Sequence, residues 1–243
     1  MREQASQDGE PRGGSGEMFD RIADRYDLLN RIISLGVDQR WRRRTVEALA
    51  LGAAPSVLDL ATGTGDLAFR IAARHADARV IGLDPSSRML AVAAQKARVL
   101  GVVARVSFER GEAGALPFAA ATFDAVTIAF GIRNVADRPR ALGEMARVTK
   151  QGGRIAVLEL SEPRGLLGPL ARFHVHRVVP TLGALLSGQR EYGYLARSIA
   201  RFPPPKEFAR TMREAGIDVL EVAPLTFSSC CLFVGTPSGE AAA

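Results

Sequence analysis

Between residues 18 and 51 the apolar side chains fall at Phe19, Ile22, Tyr26, Leu29 and Ile33, and then at Trp41, Val46 and Leu49. Steps of three and four put such residues on one face of a helix, so two helices are predicted ahead of the first strand. The pattern then changes. Residues 56–60 are a short apolar run ending in Ala61-Thr62-Gly63-Thr64-Gly65, and residues 67–73 return to helical spacing, which reads as strand, glycine turn and helix. Residues 79–83 form the next strand, ending in Asp84-Pro85, and residues 86–100 the next helix with Ser86 as its cap. Strands follow at 106–110, 123–130 and 154–160, with a helix at 139–149 between the last two.

Strands alternating with helices specify a parallel, doubly wound sheet. Residues 162–200 break the alternation with an amphipathic stretch punctuated by Pro and Gly, read as a helical insertion. A helix at 203–214 and antiparallel strands at 219–223 and 228–235 bring the predicted sheet to seven strands. The fold class is therefore α/β, with N-terminal helices, a mostly parallel seven-stranded sheet and an antiparallel last strand. A chain of 243 residues that is 47% hydrophobic and 24% charged suits one sizeable domain. We assign it to residues 18–236, with the insertion inside it and disordered tails at 1–17 and 237–243. The polar, Gly-rich start is expected to be neither a secretory signal nor a membrane anchor. No apolar run reaches the roughly 18 uncharged residues that a spanning helix needs.

Charge and cysteine content narrow the setting without choosing a ligand. The net charge of +6 suits nucleic acid, anionic lipid or an acidic ligand equally, and its densest patch is Arg40, Arg42, Arg43 and Arg44 around Trp41. The two cysteines, Cys230 and Cys231, are adjacent and cannot tie distant segments together, so a reducing cytoplasm is expected. His75, His174 and His176 have no metal-ligand spacing; no metal is expected, and His75 is read as a helix-end residue.

The candidate chemistry gathers at strand ends. Gly63 and Gly65 lie where backbone must pass close to a ligand. Residues 63–68 also match the dinucleotide pattern GxGxx(G/A), so a nicotinamide dehydrogenase is the competing reading. Asp59 favours S-adenosylmethionine instead, since an acid there would repel a pyrophosphate and attract a cationic amine. Asp84, about twenty residues beyond the turn, is placed to accept from both ribose hydroxyls. Glu112 and Ala113, after the third strand, can bond an adenine edge through a carboxylate and an amide.

Several longer segments carry a resemblance. They are Tyr26-Asp27, Asn30, Ser34, Asp38 and Trp41; Phe130-Gly131-Ile132-Arg133-Asn134-Val135; Arg147-Val148 with Lys150, Gly152-Gly153, Glu159 and Ser161; and Tyr192, Tyr194, Leu195, Ser198, Phe202 and Pro203. Together they resemble the ubiquinone/menaquinone biosynthesis C-methyltransferases from residue 18 to about 235. The resemblance implies a class I, Rossmann-like methyltransferase in which Thr64, Asp84, Glu112 and Ala113 contact S-adenosylmethionine. Glu112 replaces the family's usual Asp or Asn, Ala129 stands where some members carry Ser, and Thr149 and Gln151 replace an aliphatic residue and proline.

The implied reaction moves a methyl group to a ring carbon of demethylmenaquinol, giving menaquinol; the alternative acceptors are 2-methoxy-6-polyprenyl-1,4-benzoquinol or another small molecule. Arg133 and Asn134, after the fourth strand, are the candidate catalytic pair, holding the quinol oxygen. The competing role for Arg133 is to brace the pocket against an acid such as Asp66 or Asp84. Expected partners are a prenylated quinol, the inner face of the membrane in peripheral contact with a cytoplasmic protein, and a second copy in a homodimer. No recognition module for nucleic acid is found.

Overall fold

The computed structural model describes residues 31, 34, 36–162 and 197–239. Most of the first predicted N-terminal helix, residues 163–196 of the insertion, the tail at 1–17, residues 240–243 of the other tail, Tyr26, Asp27, Asn30, His174, His176 and the Tyr192-Tyr194-Leu195 segment lie outside the described residues, whereas Pro237, assigned to that second tail, ends the last strand.

The described chain runs α1 (Asp38–Ala48), β1 (Ser56–Leu60), α2 (Asp66–Arg74), β2 (Arg79–Asp84), α3 (Ser87–Val99), β3 (Val106–Arg110), β4 (Phe123–Ala129), α4 (Arg138–Val148), β5 (Thr149–Leu160), α5 (Pro205–Glu214), β6 (Ile217–Leu225) and β7 (Cys230–Pro237). A 3-10 turn over Ile132–Asn134 sits between β4 and α4. Seven strands form one sheet in the order β3-β2-β1-β4-β5-β7-β6. Pairing is parallel from β3 through β5, and β7 runs antiparallel to both of its neighbours. The predicted seven-stranded sheet, mostly parallel with an antiparallel last strand, is thus observed. The order reverses between β1 and β4, and open α/β sheets bind ligands at such a point, beyond the carboxyl ends of the strands.

Local sequence sets the element ends. Ser86 Oγ accepts from the Met89 amide at 3.1 Å and caps α3, and Asp137 does the same for Arg140 at the start of α4, each satisfying a donor the first helical turn leaves open. The central strands are buried on both faces, as their continuous apolar runs require. One face packs Leu58, Leu60, Val126, Ile128, Val157 and Phe233 against α4 and α5. The other packs Val57, Ala125, Ala156 and Leu158 against α1 and α2. Phe208 of α5 and Phe233 of β7 are wholly buried, with ring centroids 4.8 Å apart; burial of each contributes about 1.5–3 kcal/mol.

Several boundaries differ from the sequence reading. The fifth strand begins at Thr149 rather than at residue 154, because Thr149 pairs with Phe123 and the register then shifts across a bulge. Gly152 takes φ +75° there, and a Cβ on Gly153 would stand 2.8 Å from the Asp124 carbonyl. Glycine pairs that discourage a strand in sequence terms are what this bulge needs. The fourth strand stops at Ala129, since Phe130 adopts φ +59°. β6 lengthens to Ile217–Leu225 and β7 shifts to Cys230–Pro237, the two joined through left-handed Thr226, Phe227 and Ser228.

Among the described residues no helix is long and apolar enough to cross a membrane. Cys230 and Cys231 are buried free thiols, and burial pushes Cys231 up to about 12. His75 caps the C-terminus of α2, the helix-end position expected of it.

Candidate functional site

The turn after β1 is built from residues that can be nothing larger. Gly63 and Gly65 have φ of +58° and +85°, a region that side chains rarely tolerate, and Gly65 is the residue from which α2 starts. Across the crevice, a Cβ on Gly131 would lie 2.4 Å from the Ala61 Cβ. Glycine therefore lets the end of β4 close against the turn. Around this junction lies a small pocket lined by Arg42, Asp59, Ala61, Thr62, Gly63, Thr64, Asp66, Leu67 and Ala129.

The acids define its character. Asp59 is 1% exposed, and its two oxygens accept from Thr62 Oγ1 and Thr127 Oγ1, each at 2.7 Å. Burial drives its pKa up to about 6, against the pull of those hydroxyls and of Arg42, because a low-dielectric site penalises the charged form. Burial also pushes Asp66 upward, but Arg42 and Lys96 outweigh it and hold that carboxyl below its usual value. Lys96 Nζ lies 3.0 Å from Asp66 Oδ1 and donates to the Thr64 carbonyl at 3.2 Å, tying α3 to the turn.

Asp84, at the end of β2, accepts from the Gly63 amide at 2.9 Å through one oxygen and from the Ser86 amide at 2.9 Å through the other. The Gly111 amide bonds the Asp84 carbonyl, so the loop carrying Glu112 and Ala113 starts beside it. Glu112 is exposed and bridges to Ala115, while Ala113 is half-buried against the core. Asp59, Gly63 and Thr64 thus line one cavity, and Asp84 and Gly65 belong to the same turn assembly. Glu112 and Ala113 stand on the neighbouring loop rather than in the cavity lining.

Arg133 and Asn134 occupy the 3-10 turn that follows β4, four and five residues past the cavity-lining Ala129. Arg133 Nη1 donates to Glu159 Oε1 at 2.5 Å and to the Phe130 carbonyl at 2.6 Å, and its amide donates to Glu159 Oε2 at 3.1 Å. The pair is buried, with side-chain exposures of 7% and 0%. The acid that holds Arg133 is therefore Glu159, not Asp66 or Asp84. In turn, the Arg133 carbonyl accepts from Arg138 Nη2 at 2.9 Å.

Thr62, Asp66, Thr127 and Arg42 are site residues the sequence reading did not select. For Arg42 a signal existed: Asp38, Trp41, Arg42, Thr45 and Val46 share the buried stripe of α1, so one arginine of the basic run falls at a core-facing position.

The chain matches the model of the ubiE/COQ5 methyltransferase family over residues 6–237. It is 49% identical over 221 residues to a demethylmenaquinone methyltransferase of Thermus thermophilus, covering 90% of this chain and 99% of that one. A ubiquinone/menaquinone biosynthesis C-methyltransferase of Syntrophotalea carbinolica is 44% identical over 96% of this chain and 98% of its own length. A SAM-dependent methyltransferase from Aquifex aeolicus superposes with a TM-score of 0.59 at 18% identity, over 80% of this chain and 88% of that one, a likeness of fold. Sheet order, acid-lined turn and full-length sequence identity converge: the chain belongs to the ubiE/COQ5 methyltransferase family.

Proposed function

We propose that the chain transfers a methyl group from S-adenosylmethionine to a ring carbon of demethylmenaquinol, giving menaquinol and S-adenosylhomocysteine with release of the proton the methyl replaces. The observation that carries the cofactor assignment is the Asp84 carboxylate on the Gly63 amide. In a dinucleotide site that amide would face a pyrophosphate; here it is engaged by an acid, and Asp59 and Asp66 line the same cavity. Three carboxyl groups about one turn repel a phosphate and favour a cation. The residues fit S-adenosylmethionine, which supplies an electrophilic methyl group on a sulfonium. Asp84 would accept from the ribose hydroxyls, Glu112 and the Ala113 amide would meet the adenine edge, and Asp59 with Thr62 and Thr64 would meet the cationic amino-acid end beside Gly63 and Gly65.

For the acceptor, the chain must raise the nucleophilicity of a ring carbon, which grows as the adjacent hydroxyl loses its proton; a phenol-like pKa near 10 makes assistance necessary. Arg133 stays cationic at any working pH, so its role is to stabilise the developing quinolate, with Asn134 beside it. Glu159 fixes the Arg133 guanidinium in one orientation, and a preorganised donor is more effective than one that must reorganise. The quinol character of the acceptor is supported by the names of the relatives, and the second of them supports the methoxy-polyprenyl-benzoquinol as the alternative acceptor. Incubation with methyl-labelled S-adenosylmethionine and, separately, demethylmenaquinol, the benzoquinol and tRNA tests the reading. Label in demethylmenaquinol is expected; label only in the benzoquinol or only in tRNA replaces the acceptor assignment, and label in none overturns it.

A further inference from the structure

The basic run in α1 divides by face. Arg43 lies 3.8 Å from Glu47 on the surface, and Arg44 reaches Glu221 at 2.7 Å. Arg42 points the other way, is 6% exposed and lines the cavity with Asp59, Thr64 and Asp66. Among the described residues lining that cavity it is the one cation.

Its surroundings hold the guanidinium in place without saturating it. The Cζ atom sits 5.0 Å from the Phe130 ring centroid, a stacking position for a planar cation. Phe130 itself is packed 6.2 Å from Trp41, whose Nε1 donates to Thr226 Oγ1 at 2.9 Å. Arg42 Nε is buried and makes no hydrogen bond. That Nε instead faces Asp38 Oδ2 at 3.6 Å in a buried ion pair too long for a hydrogen bond, while Asp38 accepts from Ser34 Oγ at 2.8 Å and Gln39 Nε2 at 3.0 Å. A buried guanidinium N–H without a partner is unfavourable, and a fork of donors held flat beside a cavity matches a carboxylate.

We propose that Arg42 is the residue that binds the α-carboxylate of the amino-acid end of the S-adenosyl ligand. This rests on the cofactor reading above and adds the missing half of it. An α-amino acid is a zwitterion: acids alone could satisfy its ammonium while repelling its carboxylate. Asp59 and Asp66 together with Arg42 give the cavity lining both signs. Arg42 also lowers the pKa of both acids, so it favours their charged forms, which an ammonium requires. The competing role, a counter-charge that only steadies those acids, predicts different binding behaviour.

The test compares S-adenosylhomocysteine with its decarboxylated counterpart, identical but for the carboxylate, by calorimetry on the full chain. The parent is expected to bind the carboxylate-bearing ligand about 10–100-fold more tightly, the range for a charge-assisted hydrogen bond. In Arg42→Gln that preference should collapse to about threefold or less, because affinity for S-adenosylhomocysteine falls far more than affinity for the decarboxylated ligand. Arg42→Lys keeps a charge beside Asp59 and Asp66 without the planar fork and should lose most of the preference too; it serves where Arg42→Gln does not fold. Equal affinity of the parent for both ligands, or equal loss of both in the variants, overturns the assignment in favour of a counter-charge. A parent that binds neither ligand refutes the S-adenosyl reading itself, and with it this one.

Discussion

Replacing Glu159 by glutamine removes the charge that faces Arg133 while preserving side-chain size. The carboxylate accepts from Arg133 Nη1, from the Arg133 amide and from the Leu160 amide at 2.5, 3.1 and 2.8 Å, with both side chains almost wholly shielded from water. Breaking one side of such a pair strands a buried cation and costs about 3–5 kcal/mol. For a domain of this length each kcal/mol lowers Tm by about 2–4 °C, so a fall of about 6–20 °C is expected. The decisive measurement is a double-mutant cycle by urea denaturation. Arg133→Met in the Glu159→Gln background removes the stranded charge and should recover more than about 1 kcal/mol of the loss. Raising salt should leave the effect nearly unchanged, since screening acts weakly on buried pairs. If the two substitutions add within about 0.5 kcal/mol, the residues are not coupled and the buried-pair account of the β4–β5 junction is wrong.

Three further outcomes follow from the same geometry. Asp84→Ala should weaken S-adenosylhomocysteine binding by about 1.5–3 kcal/mol, and calorimetry showing unchanged affinity would remove Asp84 from the site. Arg133→Gln should cut turnover about a hundredfold with saturating cofactor and leave cofactor affinity intact; a parallel loss of affinity would assign Arg133 to bracing alone. Asp59 is raised from 3.8 to about 6 in the fold, so its ionised form opposes folding by about 3 kcal/mol above pH 6, and that penalty fades as pH falls from 6 to 3.8. Asp59→Asn should therefore gain stability relative to the parent as pH rises from 4 to 7, while cofactor affinity in the parent declines below pH 6; a stability difference independent of pH would contradict the burial of a charged Asp59.

The elements that sequence made legible are those whose determinants are local. The caps Ser86 and Asp137, the apolar runs of β1 and β4 and the left-handed glycines of the turn each act within a few residues, and their chemistry needs no knowledge of the tertiary neighbours. The start of β5 was hidden because Gly152 and Gly153 weaken a strand in isolation and become useful only against the bulge facing Asp124 and Phe123. The site divides along the same line. Asp59, Gly63, Gly65 and Asp84 announce themselves by position relative to strand ends, whereas Thr127 reaches Asp59 from a strand 68 residues away.

The identity of the acid holding Arg133 shows why charge alone could not resolve it. Asp66, Asp84 and Glu159 all lie near carboxyl ends of central strands or the turns beyond them, so any was compatible with a bracing role at the level of sequence. What selects Glu159 is that β4 and β5 are adjacent and in parallel register, with Ala129 opposite Leu158. The residue after Leu158 then rises beside the chain just where Phe130 turns into the left-handed region and carries Arg133 back over the strand end. The Gly63 and Ser86 amides, meanwhile, engage Asp84, and Lys96 engages Asp66. Each acid is thus matched to a different donor set: Asp84 and Asp66 are engaged around the turn after β1, while Glu159, behind the 3-10 turn, orients the cation proposed to meet the quinol oxygen.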